Sequence, residues 1–326
     1  MGGLRDRWAT AAVRCVGAGF GAVSVVVVCR AVDADAVTPV PQLLAFLPWL
    51  LAPTAAGLLL ALVARWRAGM VWGVVLLAVT GWFTQPYGTG SEPGGAVVAE
   101  VRVLTANVEF GEGTGALIPV VRRERPDLVF VEECEYRCQS ALSAAFDRRY
   151  PYREAVPGAG SEGSVILSRF PLEGTDGIPG STMGMPGAVA ELAGGHSVRV
   201  QLAHPMPPVP GQVGLWRKEL GALRDFAAEN PSRTPTILAG DFNASQDHAA
   251  FRRLLDTGLH DSARLAGAAR TPSWPARTAP TAGAQIDHVL VSGEFSASGA
   301  RFLGVADSDH RALVVDLALH QHERAR

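Results

Sequence analysis

The chain has 326 residues, of which 48% are hydrophobic and 18% charged, and its mean hydropathy is +0.17. These values exclude a disordered protein, and the length excludes a small disulfide-stapled domain. The 29 basic and 31 acidic residues leave a net charge of −2, which gives no indication of a nucleic-acid-binding protein.

The apolar residues are concentrated in the first 85 positions, which contain three long apolar runs. The second run, 43–64, would form a helix of about 33 Å, which is enough to cross a hydrocarbon layer of about 30 Å. The sequence therefore predicts a membrane anchor over residues 1–85, with three transmembrane helices at about 9–29, 43–64 and 68–84. Buried core helices are the alternative explanation of these runs.

The arginines of this region indicate its orientation. Arg5, Arg7 and Arg14 lie at the start of the first span or before it, and Arg65 and Arg67 lie between the second and third spans. Because basic ends remain in the cytoplasm, three spans place everything after residue 85 outside it. We therefore expect a multi-pass protein of the cell membrane with an extracytoplasmic soluble domain.

The first apolar run could instead be a cleaved signal peptide, which would also place the domain after residue 85 outside the cytoplasm. Residues 86–100 are rich in Gly and Pro, and we interpret them as a linker. Residues 320–326 are predicted to be a polar tail. After position 85 the chain has 23 basic and 28 acidic residues, a net charge of −5 that disfavours nucleic acid as a partner.

Residues 101–319 show strand patterns separated by few helical ones. Strands are predicted at Val101–Val108, Asp127–Glu133, Gly163–Ser168, Ala188–Leu192, Ser197–Ala203, Thr234–Asn243, Gln285–Ser292 and Ala312–Leu319. Helices are predicted at Leu117–Arg125, Ser140–Arg148 and Leu215–Glu229. This order predicts an α/β domain, a four-layer sandwich of two packed mixed β-sheets with outer helices.

Polar residues stand where these strands begin or end. They are Asn107, Glu133, His204, Asp241, Asn243, Asp309 and His310, and one further acidic residue, Asp287, lies inside an apolar run. Strand ends commonly carry catalytic groups, and oxygen donors are the ligands that Mg²⁺ or Mn²⁺ prefers. The sequence therefore predicts an oxygen-rich site for one of these cations.

Seven segments resemble, in order, the motifs of the endonuclease/exonuclease/phosphatase (DNase I-like) superfamily. They are LTANV (104–108), PDLVFVEE (126–133), GSVILSRFPL (163–172), LAHP (202–205), GDFN (240–243), IDHVLVS (286–292) and SDH (308–310). With three spans ahead of this domain, the chain is most similar to the membrane-anchored VanJ-like members associated with glycopeptide resistance. The resemblance implies a metal-dependent hydrolase of phosphoric ester bonds.

The resemblance also implies which residues bind the metal. Glu133 is expected to be the main ligand, with Asn107 and Asp309 in support. Many relatives have Gln-Glu where this chain has Glu132-Glu133, and we expect Glu132 to face solvent, as most glutamates do. A side chain that points inward and tunes the site is the alternative for Glu132.

Five further residues are implied to act on the substrate. Asp241 and Asn243 would orient the attacking water and bind the phosphate. His310 would be a general base or a charge stabiliser, with its tautomer set by Asp287. His204 would bind the phosphate or protonate the leaving oxygen.

Two residues are weaker candidates for substrate binding. Arg169 could bind a phosphate, although packing or an ion pair is the alternative, and Trp274 could line the cleft or be merely part of the core. Cys134 and Cys138 could form a disulfide, which an extracytoplasmic location would allow; the sequence leaves this open.

Three functions remain to be distinguished at this point. The first is a membrane-anchored phosphoesterase acting on a phosphorylated small molecule or a lipid-linked cell-envelope substrate, with membrane lipid as its other partner. The second is an extracellular or surface nuclease, which the net charge disfavours. The third is a non-catalytic membrane sensor, which the complete set of polar residues disfavours.

Overall fold

The structure, a computed structural model, describes residues 2–88, 90, 93–230 and 233–321, with only the backbone for residues 2–7 and 9. Parts of the predicted linker (89, 91 and 92) and of the predicted tail (322–326) thus lie outside the described residues. The chain divides into two compact units. The first is Met1–Tyr87 with Gln246–Ala249, and the second is Gly88–Ser245 with Ala250–Arg326.

The first unit is helical. Its helices are α1 (Gly2–Ala31), α2 (Val40–Ala45), α3 (Leu51–Val63) and α4 (Arg67–Phe83), with a 3₁₀ turn at Leu47–Leu50. Among the described residues, one helix, Thr10–Ala31, is long and apolar enough to cross a membrane. Leu47–Val63 and Arg67–Phe83 are apolar but shorter.

The second apolar run does not form one continuous helix. Helix α2 ends at Ala45, and the chain passes through the 3₁₀ turn before α3 begins at Leu51. Pro48 lies within that turn and lacks the N–H that a continuous α-helix would need there. The regular helix over 43–64 is thereby shortened to 13 residues.

Helices α3 and α4 bury mainly small residues and expose many of their large apolar ones. Gly57 of α3 and Gly73 of α4 both face the ring of Phe20, where a Cβ atom would come within 2.6 and 2.9 Å of ring carbons. Leu59 and Val71 on the same two helices are 62% and 66% exposed. This arrangement is the reverse of a helix that packs in water.

The second unit contains two six-stranded sheets and five helices among its described residues. The strands are β1 (Val97–Asn107), β2 (Leu128–Glu132), β3 (Tyr152–Val156), β4 (Ser164–Ser168), β5 (Leu172–Thr175), β6 (Gly187–Leu192), β7 (His196–Ala203), β8 (Thr236–Asp241), β9 (His260–Asp261), β10 (Asp287–Val291), β11 (Phe295–Gly304) and β12 (Arg311–His320). The helices are α5 (Thr114–Glu124), α6 (Tyr136–Phe146), α7 (Val213–Ala228), α8 (Ala249–Leu255) and α9 (Ser262–Leu265).

Both sheets are mixed, as predicted. The first has the order β11-β12-β1-β2-β4-β3, and the second β5-β6-β7-β8-β10-β9. Each contains one parallel pair, β1 with β2 and β7 with β8, and its other pairs are antiparallel. Strand β1 begins at Val97, so it extends into the segment that we expected to be linker.

The two sheets pack face to face over an apolar core. Alternate residues of β1 and β2, such as Val103 and Phe130, contribute to this core together with Val200 and Ile237 of the second sheet. The intervening residues of β1 and β2 face outward and pack against α5 and α6. On the second sheet, α7 packs beside β7, with the Arg199 guanidinium 4.0 Å from the centre of the Phe226 ring.

Cys134 and Cys138 are joined by a disulfide, the outcome that the sequence left open. Both residues are buried, and Cys134 directly follows Glu133. The Glu135 side chain accepts a hydrogen bond from the Cys138 backbone N–H and so caps α6 at its start. The disulfide therefore ties the start of α6 to the turn that contains Glu133.

Glu132 does not face solvent, so that expectation was wrong. It occupies the last position of a fully buried strand, on the same face as Phe130, and its side chain points between the sheets. Thr105 Oγ1 donates a hydrogen bond to Glu132 Oε1 (3.0 Å), while Oε2 has no partner among the described residues. Burial, reinforced by the nearby Asp287 carboxylate, raises the pKa of Glu132 well above its usual range.

We expect the Glu132→Gln variant to lose less thermal stability than the wild type as the pH rises. A carboxyl with a raised folded-state pKa stabilises the fold at low pH, and this contribution is lost as the pH rises from about 4.5 toward that pKa. The uncharged amide removes this dependence, so the variant should gain thermal stability over the wild type with increasing pH. Thermal unfolding across the pH range measures this. The exposed control Glu173→Gln should follow the wild type, and a parallel curve for Glu132→Gln would contradict the assignment.

Candidate active site

The strand topology brings the predicted site residues to one edge of the sandwich. Because β1 and β2 are parallel, Asn107 at the end of β1 lies beside Glu132 and next to Glu133. In the second sheet, Asp241 at the end of β8 is paired directly with Asp287 at the start of antiparallel β10. The start of antiparallel β12, which His310 precedes, lies at the same end of β1.

Two of these residues have strained backbones. Glu133 and Asn243 both have left-handed conformations, with φ of +53° and +49°. Such conformations are uncommon in residues other than glycine and concentrate at functional sites. The turn at Glu133 is held by the Phe110 backbone N–H, which donates to Glu133 Oε2 (2.9 Å). Asn243 is held by its own backbone N–H, which donates to Asp241 Oδ1 (2.8 Å).

The Asn107 amide joins the two sheets. Its Nδ2 donates to Glu133 Oε1 and to Asp241 Oδ2, both at 3.1 Å, and its Oδ1 accepts from the Glu109 backbone N–H. Asn107 is buried, and the Glu133 side chain is only 15% exposed. One carboxylate from each sheet is therefore in contact with the same amide.

His310 lies between two buried carboxylates. Its Nδ1 is 2.9 Å from Asp287 Oδ2, and its Nε2 is 3.6 Å from Asp241 Oδ2. Burial alone would lower the pKa of His310, but Asp287 and Asp241 together raise it to about 10. These two carboxylates favour the imidazolium form of His310 at neutral pH, and Asp287 is in hydrogen-bond contact with its Nδ1.

The same environment also raises the pKa of Asp241, but for a carboxyl group this favours the uncharged form. Its burial and the nearby Asp287 carboxylate raise the pKa of Asp241 to about 6, although His310 opposes this shift. A carboxyl with this pKa can accept a proton near neutral pH, as a general base does.

His204 completes the group of residues at this edge. It follows β7, and its Nε2 lies 3.8 Å from Glu133 Oε1. Burial lowers the pKa of His204, with the Asp241 carboxylate opposing the shift, so the ring is neutral. Its Nδ1 is buried and has no hydrogen-bond partner within the described part of the chain.

Trp274 belongs to the site, through a contact that the sequence did not suggest. Its indole Nε1 donates to Asp309 Oδ2 (2.8 Å), and the Ala276 backbone N–H donates to the Asp309 backbone carbonyl. Asp309 Oδ1 is 3.7 Å from His310 Nε2. Trp274 thus orients the carboxylate that we predicted to be a supporting metal ligand.

Arg169, predicted to bind substrate, lies away from this edge and instead pairs with Asp127. It follows β4, which is antiparallel to β2, so that Ser168 is paired with Leu128 at the start of β2. Glu133 follows the other end of β2, about 17 Å away at the usual rise of an extended strand. The alternative of an ion-pair residue is therefore correct for Arg169.

Several residues that support the site were not predicted. Ser308 Oγ donates to the Asn107 carbonyl (2.8 Å) and accepts from the His310 backbone N–H, which links β1 to the start of β12. The buried Glu219 of α7 accepts from the backbone N–H groups of Thr182 and Met206, both at 2.7 Å. Ser308 stands in the SDH motif, whereas nothing in the sequence pattern marks Glu219 as different from a surface charge.

The donor set fits a divalent cation. Four carboxyl groups, those of Glu133, Asp241, Asp287 and Asp309, meet at this edge of the sandwich, and the His310 ring lies within 4 Å of three of them. Carboxylate oxygens of Asp241 and Asp287 and a ring nitrogen of His310 lie within 4.8 Å of one another, so the charges of the site are closely spaced. Mg²⁺ and Mn²⁺ bind hard oxygen donors, and they favour sites where carboxylates outnumber cationic side chains.

Sequence comparison supports this interpretation. The profile of the Endonuclease/Exonuclease/phosphatase family matches residues 104–310, which include all the site residues described above. No curated protein sequence matches the chain significantly.

Solved structures with a similar fold cover about two-thirds of the chain. An endonuclease/exonuclease/phosphatase from Beutenbergia cavernae is 20% identical, with a TM-score of 0.52, and the match covers 68% of this chain and 72% of that one. D. rerio TDP2 with a single-strand DNA product is 17% identical (TM-score 0.55; 67% and 98% covered). The 3′ phosphatase NExo from Neisseria with a product DNA hairpin is 19% identical (TM-score 0.55; 68% and 100% covered).

These identities show a shared fold, whereas the profile match extends over more than half of the chain and includes the residues of the site. Members of the matched family are hydrolases of phosphoric ester bonds that use divalent metal ions. The chain is accordingly an enzyme of this type, and it belongs to the endonuclease/exonuclease/phosphatase family.

Proposed function

We propose that this enzyme is a membrane-anchored, Mg²⁺- or Mn²⁺-dependent phosphoesterase that acts outside the cytoplasm on a phosphate ester or pyrophosphate, with a lipid-linked cell-envelope compound as the favoured substrate class. The observation that carries the catalytic part is the convergence of Glu133, Asp241, Asp287 and His310 at one edge of the sandwich. Their contacts form a continuous network through Asn107.

Glu133, with Asn107 and Asp309 in support, would hold the metal ion. When bound, such an ion supplies Lewis acidity toward a phosphoryl oxygen and offsets the charge that develops there. The two oxygens of Asp309 are already oriented, one by Trp274 and the other toward His310.

Side chains of the protein can accept the proton, bind the phosphate and stabilise charge during an in-line attack by water. Asp241, with a pKa of about 6, accepts the proton of the attacking water. The Asn243 side chain, whose Nδ2 also donates to the Pro205 carbonyl (3.0 Å), contributes to phosphate binding. His310 is held as an imidazolium by Asp287 and stabilises negative charge on the phosphoryl oxygens. Of the two roles considered for His310, this favours charge stabilisation over general base.

His204 is buried and its pKa is lowered, which favours the neutral ring. Of the two roles predicted for it, this favours donating a hydrogen bond to the phosphate over protonating the leaving oxygen, because a neutral imidazole has no readily lost proton. The role needs a ring N–H that faces the substrate, and the position of Nε2 beside Glu133 Oε1 is compatible with this.

The membrane part of the proposal rests on the helical unit. Thr10–Ala31 is long enough to span a bilayer, and the packing of Gly57 and Gly73 against Phe20 is typical of helices that associate in lipid. We propose that α3 and α4 are further, short spans, which gives a multi-pass anchor. The distribution of arginines then places the enzyme outside the cytoplasm, and the Cys134–Cys138 disulfide is compatible with an oxidising compartment.

A nuclease is the second candidate, because two of the similar structures contain product DNA. The net charge of −5 after residue 85 opposes it, since binding to a phosphate backbone depends on cationic side chains. A resistance-related role in the cell envelope follows from the resemblance to VanJ-like proteins and belongs to the first candidate.

Substitution of the expected main metal ligand tests the catalytic proposal. We expect Glu133→Gln in the full-length protein in detergent to lower Mg²⁺-dependent hydrolysis about a hundredfold or more, while the fold is retained. Hydrolysis is followed by phosphate release for monoesters and pyrophosphates, and by separation of the products for phosphodiesters. The substrates would be an isoprenoid pyrophosphate, a phospholipid, an inositol phosphate and plasmid DNA. The exposed Glu173→Gln is the matched control. Undiminished hydrolysis by Glu133→Gln would refute the site, and cleavage of DNA alone would favour the nuclease.

The indole of Trp274 provides a second test. Trp274→Phe keeps an aromatic side chain but removes the indole N–H that donates to Asp309. We therefore expect the variant to need about tenfold more Mg²⁺ for half-maximal activity. Activity measured across a Mg²⁺ titration gives this value. Trp82→Phe, exposed on α4, is the control. An unchanged Mg²⁺ requirement would show that Asp309 needs no support from the indole.

The charge on His310 provides a third test, made with EDTA present. A histidine with a raised folded-state pKa stabilises the fold below its unfolded pKa of about 6.5, and this stabilisation is lost as the pH rises through about 10. The free energy of unfolding of the wild type should therefore exceed that of His310→Gln by on the order of 3 kcal/mol near pH 6.5, and by progressively less toward pH 10. A constant difference would contradict the ion pair.

A further inference from the structure

A surface groove on the catalytic unit is lined by positive charge. It has a volume of about 450 Å³ and lies between α7 and α8. The lining residues are Gly214, Arg217, Lys218, Gly221, Arg224, Ala250 and Arg253. All four charged residues of this lining are basic, although the chain after position 85 has a net charge of −5. Lys218 is the only lysine of the chain.

The groove is open at its floor. A Cβ atom at Gly214 or Gly221 would meet nothing within 4 Å, so a ligand can approach the backbone of α7 between the basic side chains. Lys218 is exposed, and Arg253 is half-buried. The Arg224 guanidinium contacts the exposed carboxylate of Asp225 in the neighbouring position, which leaves an excess of positive charge along the lining.

The opposite face of α7 supports the active site. Trp216 is fully buried, and its indole Nε1 donates to the backbone carbonyl of Asn243 (3.1 Å). Glu219, also buried, holds the segment after His204 through the Met206 backbone N–H. The helix that carries the basic groove is therefore part of the support of the phosphate-binding side of the site.

We propose that this groove binds the phosphate-bearing headgroups of anionic membrane lipids. The charge of the groove is complementary to such headgroups, and the chain has an apolar helix, Thr10–Ala31, that is long enough to cross a membrane. A cluster of basic side chains attracts an anionic bilayer surface at short range. This inference goes beyond the proposed catalytic function and does not depend on it.

The test measures binding by the full-length protein in a neutral detergent, with soluble dihexanoyl phosphatidylglycerol as the probe. Lys218→Gln combined with Arg253→Gln should weaken binding about 25-fold, the effect of two basic groups near an anionic lipid. The control, Arg137→Gln with Arg148→Gln, removes two exposed charges elsewhere and should bind like the wild type. Hydrolysis of a soluble phosphate ester should be the same in all three proteins.

A second readout uses the full-length protein in lipid nanodiscs. Amide hydrogen exchange in Val213–Ala228 should be slower in discs that contain phosphatidylglycerol than in discs of phosphatidylcholine alone, and added salt should abolish the difference. Equal lipid binding by the wild type and the groove variant would overturn the proposal. So would equally tight binding of inorganic phosphate, which would indicate a phosphate site, or tighter binding of single-stranded DNA, which would indicate a nucleic-acid surface.

Discussion

Repulsion among carboxylates at one edge of the sandwich is the constraint on which the site depends. Asp241 and Asp287 are paired across two strands and buried, and Glu133 reaches the same amide as Asp241. This charge is offset in the structure by the His310 imidazolium and by the donors of Asn107. The remaining excess is the property that makes the edge suitable for a divalent cation and for phosphoryl chemistry, because both require concentrated, preorganised charge.

Apolar patterning, rather than the charge of the site, relates the fold to its sequence. Eight strands and three helices could be predicted, since their apolar patterns correspond to a core between two sheets and to helices packed outside. Four strands were missed: β3, β5, β9 and β11. Strands β3 and β5 are largely exposed, β9 has only two residues, and β11 contains Gly299 and a register shift against β12, so none of them shows an alternating pattern. Their pairing is imposed by the neighbouring strands rather than by their own composition.

A larger share of the candidate site than of the fold could be proposed from the sequence, because the site residues stand at strand ends and in motifs. Arg169 was misplaced because a motif does not tell which end of an antiparallel strand faces the site. Glu132 was misjudged because a glutamate beside a metal ligand resembles a surface charge until strand alternation directs it inward. The role of Trp274 depends on a contact between residues far apart in sequence, which no local pattern reveals. Most of the basic groove lies on α7 at helical spacing, but its closure by Ala250 and Arg253 depends on where α8 packs.

The central claim is that the ends of the strands form a binding site for a divalent cation centred on Glu133. Crystals of the full-length protein soaked with Mn²⁺ would test this most directly, because anomalous scattering locates the ion without reference to activity. Our account predicts a peak in contact with the Glu133 carboxylate and near Asn107 and Asp309, and loss of that peak in Glu133→Gln. A peak elsewhere in the molecule, or full Mn²⁺ occupancy in Glu133→Gln, would contradict it.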